Sequence, residues 1–225
     1  MELKRLKNHW EEIRDEYKKL PMNFIVDEPR PEGEWDGSPI LQKIAERYSS
    51  GQCGWVKGGQ EHVAETWLTF PLIWQGQPLL GNCDRCPKTF GMLSQIKGIH
   101  VAGFSLMKPG VKLFEHTDNV GEGYKFTYHL GLQCVPDRSF LHHSVLGTID
   151  ERDGKHIVMN AKEEHWAENT SDEDRVILYI EIYDKWLTKT SYWIYNHLVV
   201  RMLYLWEYGD RFLRSRIKHQ QQRLL

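Results

Sequence analysis

Between residues 98 and 183 the chain alternates apolar and polar residues in short runs, and turn residues part the runs. This period of two is the strongest constraint on the fold, because it turns successive side chains to opposite faces, as a strand does and a helix does not. The runs fall at 100–107, 111–118, 124–135, 139–149, 155–160 and 175–183. Pro109-Gly110 marks a turn, and Asp153-Gly154 reads as a hairpin between the runs at 139–149 and 155–160. Within 124–135, Tyr124, Phe126, Tyr128, Leu130 and Leu132 share one face. Short strands at this spacing, with no α/β alternation, predict a mainly β fold with a jelly-roll core closed by two sheets.

Helices flank this core. Leu6, Trp10, Ile13 and Tyr17 recur at helical steps across 3–20, and Pro21 ends the run. Residues 27–37 read as loop, 41–48 and 87–96 as short helices, and 54–80 as strand-like pieces broken by glycine. From 190 to 214 the pattern is helical again, with Trp193, Leu198, Val199, Met202, Leu205 and Trp206. The expected organisation is one domain over 1–186, with a helical and loop part at 1–95 and the β core at 96–186, then a helical extension at 187–225. With 40% hydrophobic residues the 225-residue chain can bury a core, and its net charge of -2 argues against the basic footprint of a nucleic-acid binder. The N-terminus is charged and no run is apolar enough to span a bilayer, so the expectation is no integral membrane span and a cytoplasmic location.

Chemistry concentrates in the alternating region. His116 and Asp118, two apart on a strand, project together. A distant histidine, His129 or His165, would complete two imidazoles and one carboxylate, a set that holds one face of a divalent iron and leaves adjacent positions open. Arg175 opens a strand with Ile177, Tyr179, Glu181 and Tyr183 on its own face. If that face lines a pocket, the guanidinium clamps a carboxylate through two parallel hydrogen bonds. The alternative is a surface ion pair with Asp172, Glu173 or Asp174. Ser105, one strand earlier, offers a hydroxyl to the same carboxylate.

These residues, in this order, resemble the aspartyl/asparaginyl β-hydroxylase family of 2-oxoglutarate- and Fe(II)-dependent oxygenases. The matching positions are Ser105 before Pro109-Gly110, then His116, then His129-Leu-Gly-Leu132, then His165 with Asn169 four places on and Arg175 ten places on. Outlying matches are NHWEEIRDEYKKL near the start and Pro87-Lys88-Thr89. The likeness runs to about Trp186. It implies a double-stranded β-helix, jelly-roll or cupin-like, with His116 and His165 as iron ligands. It also implies Ser105 and Arg175 at the distal carboxylate of 2-oxoglutarate, and His129 at the co-substrate's chelating end. Two positions depart from the family pattern. Asp118 stands where the best-known animal members have glycine, and is expected to complete a His116, Asp118, His165 triad; the alternative is an acid on a metal-bound water. Thr127 stands where members usually carry arginine, with Lys125 as a substitute charge for binding substrate. The chemistry implied is hydroxylation with O2, releasing succinate and CO2. Its expected target is the β-carbon of an Asp or Asn residue in a peptide or protein, or alternatively a free amino acid or small peptide.

Other readings stay beside this one. A catalytically silent jelly-roll binding module is compatible with the fold. A metal-dependent isomerase or hydrolase on a cupin-like barrel is too, though such an enzyme has no use for Ser105 and Arg175. Cys83 and Cys86 form one CxxC, read as two thiols in a loop rather than a zinc or redox site, since no matching second pair exists. His142 and His143 are assigned to core or surface. The basic end of the tail reads as a solvated helix, and its aromatic residues as a cover for the core or a partner rather than a membrane-surface face.

Overall fold

The computed structural model describes residues 2–28, 39–118 and 120–184, and these form a mainly β fold of two antiparallel sheets. The proposed extension at 187–225 lies outside the described residues. The amphipathic start forms two helices, α1 (Glu2–Asn8) and α2 (Trp10–Tyr17), which part at His9 where one continuous helix was expected. Then come α3 (Pro39–Ser49), β1 (Val56–Lys57), β2 (Trp67–Trp74), β3 (Gln77–Pro78), α4 (Leu80–Cys83) and α5 (Pro87–Leu93). The remaining strands are β4 (Ile99–Met107), β5 (Tyr124–Gln133), β6 (Ser139–His143), β7 (Gly147–Asp150), β8 (His156–Met159), β9 (His165–Asn169) and β10 (Arg175–Tyr183).

The larger sheet has the order β1-β2-β4-β10-β5-β8, with β3 paired to β2. Its outer face carries Leu68, Phe70, Phe104, Leu106, Leu130, Leu178 and Ile180, all buried against Leu6, Ile13 and Leu93 of the helices. Truncating any one of these leucines or isoleucines to alanine would cost about 2–5 kcal/mol, the usual transfer-plus-cavity loss. The smaller sheet, β7-β6-β9, faces the inner side of the larger one, and Met107, Leu113, Leu141, Met159 and Ala167 fill the gap. β10 is therefore covered on both faces, which explains why Arg175 is buried and Tyr179 and Glu181 are at least half-covered.

Three local expectations are corrected. Residues 139–149 and 155–160 do not form one hairpin: β6 turns back into β7 within the smaller sheet, while β8 pairs with β5 in the larger. Residues 111–118 make no strand, only isolated bridges from Lys112 and His116 to β9. Tyr124 leaves the apolar face of β5. The register of β5 against β10 slips between Ile182 and Tyr183, and the Tyr124 hydroxyl bonds Thr127 and Ala161 instead.

The second and fifth helices are joined to each other by one carboxylate. Glu16 on α2 accepts from the backbone N–H groups of Lys88 and Thr89, both at 2.8 Å, and from the Thr89 hydroxyl at 2.7 Å. It caps the start of α5, where Pro87 sits in the first turn and leaves the next N–H groups unpaired. Cys83 and Cys86 are free and buried; burial raises both thiols, Cys83 to about 12, so neither is poised as a thiolate.

Candidate active site

His116 and His165 meet where the bridge segment runs alongside β9. Their rings are 4.6 Å apart between centroids. The Nδ1–H of His116 donates to the Phe114 carbonyl at 2.8 Å, and that of His165 to the Glu163 carbonyl at 2.9 Å. Each ring is thereby fixed in one tautomer with its Nε2 lone pair free, as metal-binding histidines require. Asp118 completes the group: its Oδ1 lies 3.7 Å from the His116 Nε2 and 3.9 Å from the His165 Nε2. One donor atom from each residue falls within 4.8 Å of the others. Burial lowers the pKa of His165, which keeps it neutral and able to ligate. His165 is buried, while His116 and Asp118 are partly open to solvent, so the cluster has a mouth.

Beneath Asp118 lies an acid pair. Tyr179 Oη stands 3.2 Å from Asp118 Oδ2 and 2.7 Å from Glu181 Oε1. One phenolic proton serves only one carboxylate at a time. Burial, with Asp118 adding to it, raises Glu181 to about 7. A protonated Glu181 can then donate to the tyrosine oxygen while Tyr179 donates to Asp118.

The expected co-substrate residues are on the same inner face. His129 and Tyr179 are cross-strand partners, as are Ser105 and Ile177, and Met107 and Arg175. Ser105 accepts from the Trp67 indole at 3.1 Å. Arg175 is 2% exposed, which excludes the surface pairing with its acidic neighbours. Its partner is Glu151, which nothing in the sequence pattern singled out. Arg175 Nε donates to Glu151 Oε2 at 2.6 Å, Nη2 stands against the same oxygen, and His129 Nδ1 donates to Oε1 at 3.2 Å. Burial works against the charge on Glu151, but Arg175 and His129 outweigh it and hold its pKa at about 2. His129 Nε2 is buried without a hydrogen-bond partner.

Thr127 is fully buried and bonded to Tyr124, while Lys125 on the same strand is exposed. His143 is spent on the protein. Its Nε2–H donates to the Asn160 carbonyl at 3.1 Å, and its Nδ1 accepts from the N–H of Val145. His142 bonds Thr148 and Glu168. Asn169 has a structural task. Its side-chain N–H groups bond the carbonyls of Met107, Lys108 and Glu173, which fixes the turn that delivers Arg175.

Two facing sheets with a His-Asp-His group between them define a cupin-like scaffold whose clustered donors are of a kind able to hold one metal ion. The model of the Aspartyl/Asparaginyl beta-hydroxylase family matches residues 7–185, and the chain belongs to that family of enzymes. A curated relative, the ornithine lipid ester-linked acyl 2-hydroxylase of Rhizobium tropici, is 29% identical over 116 residues, which span 51% of this chain and 41% of that protein. Among solved structures, a 2OG-Fe(II) oxygenase-family oxidoreductase from Burkholderia pseudomallei aligns at 14% identity over 52% of this chain and 68% of its own, with a TM-score of 0.36. A DMSP lyase structure aligns at 11% identity over 81% and 95%, with a TM-score of 0.41. At these scores neither bears on the site. Among the described residues no helix is long and apolar enough to cross a membrane.

Proposed function

We propose that this chain is an Fe(II)- and 2-oxoglutarate-dependent oxygenase that hydroxylates an unactivated carbon. The observation that carries the reading is the donor set: two histidines whose Nδ1 atoms are tied to backbone carbonyls, with Asp118 beside both free Nε2 atoms. This set fits a divalent ion and favours iron among the common ones, since two imidazoles and one carboxylate leave open positions. Bound there, Fe(II) with 2-oxoglutarate would supply the oxidising power that places one atom of O2 in a C–H bond. The protein's own part is to hold the three donors, to seat the co-substrate against the unpartnered Nε2 of His129, and to keep water from the inner face. Tyr179 steadies the orientation of Asp118 through its hydroxyl.

Two substrate classes suit the site. Family membership favours the β-carbon of an Asp or Asn residue in a peptide or protein. The relative is named for the C2 position of a lipid acyl chain. Thr127, buried where a substrate-binding cation is expected, favours a substrate with less need of a carboxylate partner at that point.

The test is succinate formation from 2-oxoglutarate by purified protein with Fe(II) and oxygen, with Asp-containing peptides and acyl lipids supplied in parallel. Substrate-stimulated turnover lost in His165→Ala is expected. Wild type indistinguishable from His165→Ala would sink the reading.

A further inference from the structure

Arg175 presents a problem that the proposed chemistry does not solve. A guanidinium is charged at every accessible pH, and a charge at 2% exposure needs a partner whether or not a co-substrate is present. Glu151 is that partner. Its carboxylate is itself buried, spans Arg175 and His129, and uses one oxygen on each. These are the two side chains to which the resemblance assigns the two ends of 2-oxoglutarate. A cavity of about 70 Å³ adjoins this cluster, lined by Glu151 itself and by Ile149, Arg152, Lys155 and Ile157. Lys155 lines it, as does Asp150, which holds Arg152 in an ion pair.

We propose that Glu151 is a built-in occupant of the carboxylate clamp, which an incoming dicarboxylate must displace from Arg175 to bind. This rests on the oxygenase reading. The residue then sets how tightly, and which, 2-oxo acid the site accepts. Displacement costs the Glu151 contacts, so apparent affinity is reduced by the fraction of molecules with the clamp open. A 2-oxo acid lacking the distal carboxylate escapes most of that cost.

The experiment uses the full chain loaded with Mn(II) and measures equilibrium binding of 2-oxoglutarate and of 2-oxobutyrate by calorimetry. Glu151→Gln keeps the side-chain shape and removes the charge. It should tighten 2-oxoglutarate about tenfold or more and 2-oxobutyrate far less, since the latter meets only the His129 end, and leave Mn(II) affinity near wild type. Equal 2-oxoglutarate affinity in wild type and variant, both binding Mn(II), overturns the proposal and leaves the metal site standing. Failure of the wild type to bind Mn(II) overturns the oxygenase reading and this inference with it. Should the variant not fold, a crystal structure of wild type with Mn(II) and 2-oxoglutarate decides. Glu151 turned away from Arg175 supports the proposal, and an intact Glu151–Arg175 pair beside bound co-substrate refutes it.

Discussion

His116 and His165 exchange both of their backbone hydrogen bonds, at 3.1 and 2.9 Å. They thus form an antiparallel bridge although His116 belongs to no strand. The pairing fixes the two Cα atoms, and the Nδ1 bonds fix the rings, so the metal-facing edges are set before any ion arrives. His165→Ala removes one edge from this prepared site. Mn(II) affinity, read by electron paramagnetic resonance of the free ion, should fall on the order of a hundredfold or more, beyond what losing a supporting partner costs. Far-UV circular dichroism should stay unchanged, because the backbone bridge survives the substitution.

Asp118→Gly tests the third donor separately. If Asp118 ligates, Mn(II) affinity should drop by a factor approaching that of His165→Ala. An affinity near wild type would reduce the site to two histidines, with Asp118 acting on a bound water.

Glu181 gives a pH dependence to the metal-free protein. Its folded pKa, about 7, is above the ordinary 4.5, with burial as the first cause. Between those values the folded state binds more protons than the unfolded one, so its contribution to stability is full below about 4.5 and is lost as the pH rises to about 7. Glu181→Gln removes the titration. In urea denaturation, wild type should lose on the order of 2 kcal/mol relative to the variant between pH 4.5 and 7.5, less than the full shift implies because the side chain is partly exposed. A constant difference across that range would show that Glu181 does not titrate there.

β10 was legible in the sequence from Arg175 to Tyr183 through its alternation, whereas β9 (His165–Asn169), which carries one of the paired histidines, was not predicted as a strand. Pairing partners were not legible. Asp153-Gly154 carries a hairpin's residues, yet Gly131 bonds both Gly154 and Lys155 and draws that turn to β5, away from β6. His116 and Asp118 were paired by an expected strand that does not form, and His165 was singled out only by the family resemblance. Glu151 was not singled out at all, since Asp150-Glu151-Arg152-Asp153 has the composition of a solvated turn. Only the approach of that turn to β5 and β10 buries one of its acids, and no local pattern encodes a long-range approach.

The Glu16 cap predicts a stability loss without a functional one. Thr89 is fully buried, so Glu16→Ala would leave its hydroxyl and N–H without partners, as well as the Lys88 N–H. About 2–4 kcal/mol should be lost in urea denaturation. Glu16→Gln retains one accepting oxygen and should lose about half of that. Mn(II) affinity should be unchanged in both, as the cap joins helices on the outer face.

Gly131, the glycine within His129-Leu-Gly-Leu132, offers a test by sign. A Cβ built there would meet the Arg152 carbonyl oxygen at 2.2 Å and its carbon at 2.8 Å, both backbone atoms that cannot swing aside. The approach is held by Gly131 N–H to the Lys155 carbonyl and by Gly154 N–H to the Gly131 carbonyl, each at 2.9 Å. Without that contact, alanine in place of a strand glycine would stabilise by about 0.4–1 kcal/mol through the unfolded chain. With it, Gly131→Ala should destabilise by about 2–4 kcal/mol, because the turn carrying Glu151 must back away from β5. Gly91 in α5 is the control: a Cβ there meets nothing within 4 Å, so Gly91→Ala should stabilise by about 0.5–1 kcal/mol. Opposite signs for the two substitutions in one urea series would establish that the motif's glycine serves close backbone approach to the turn that carries Glu151. A stabilised Gly131→Ala would mean that the turn sits farther from β5 than 2.9 Å hydrogen bonds allow.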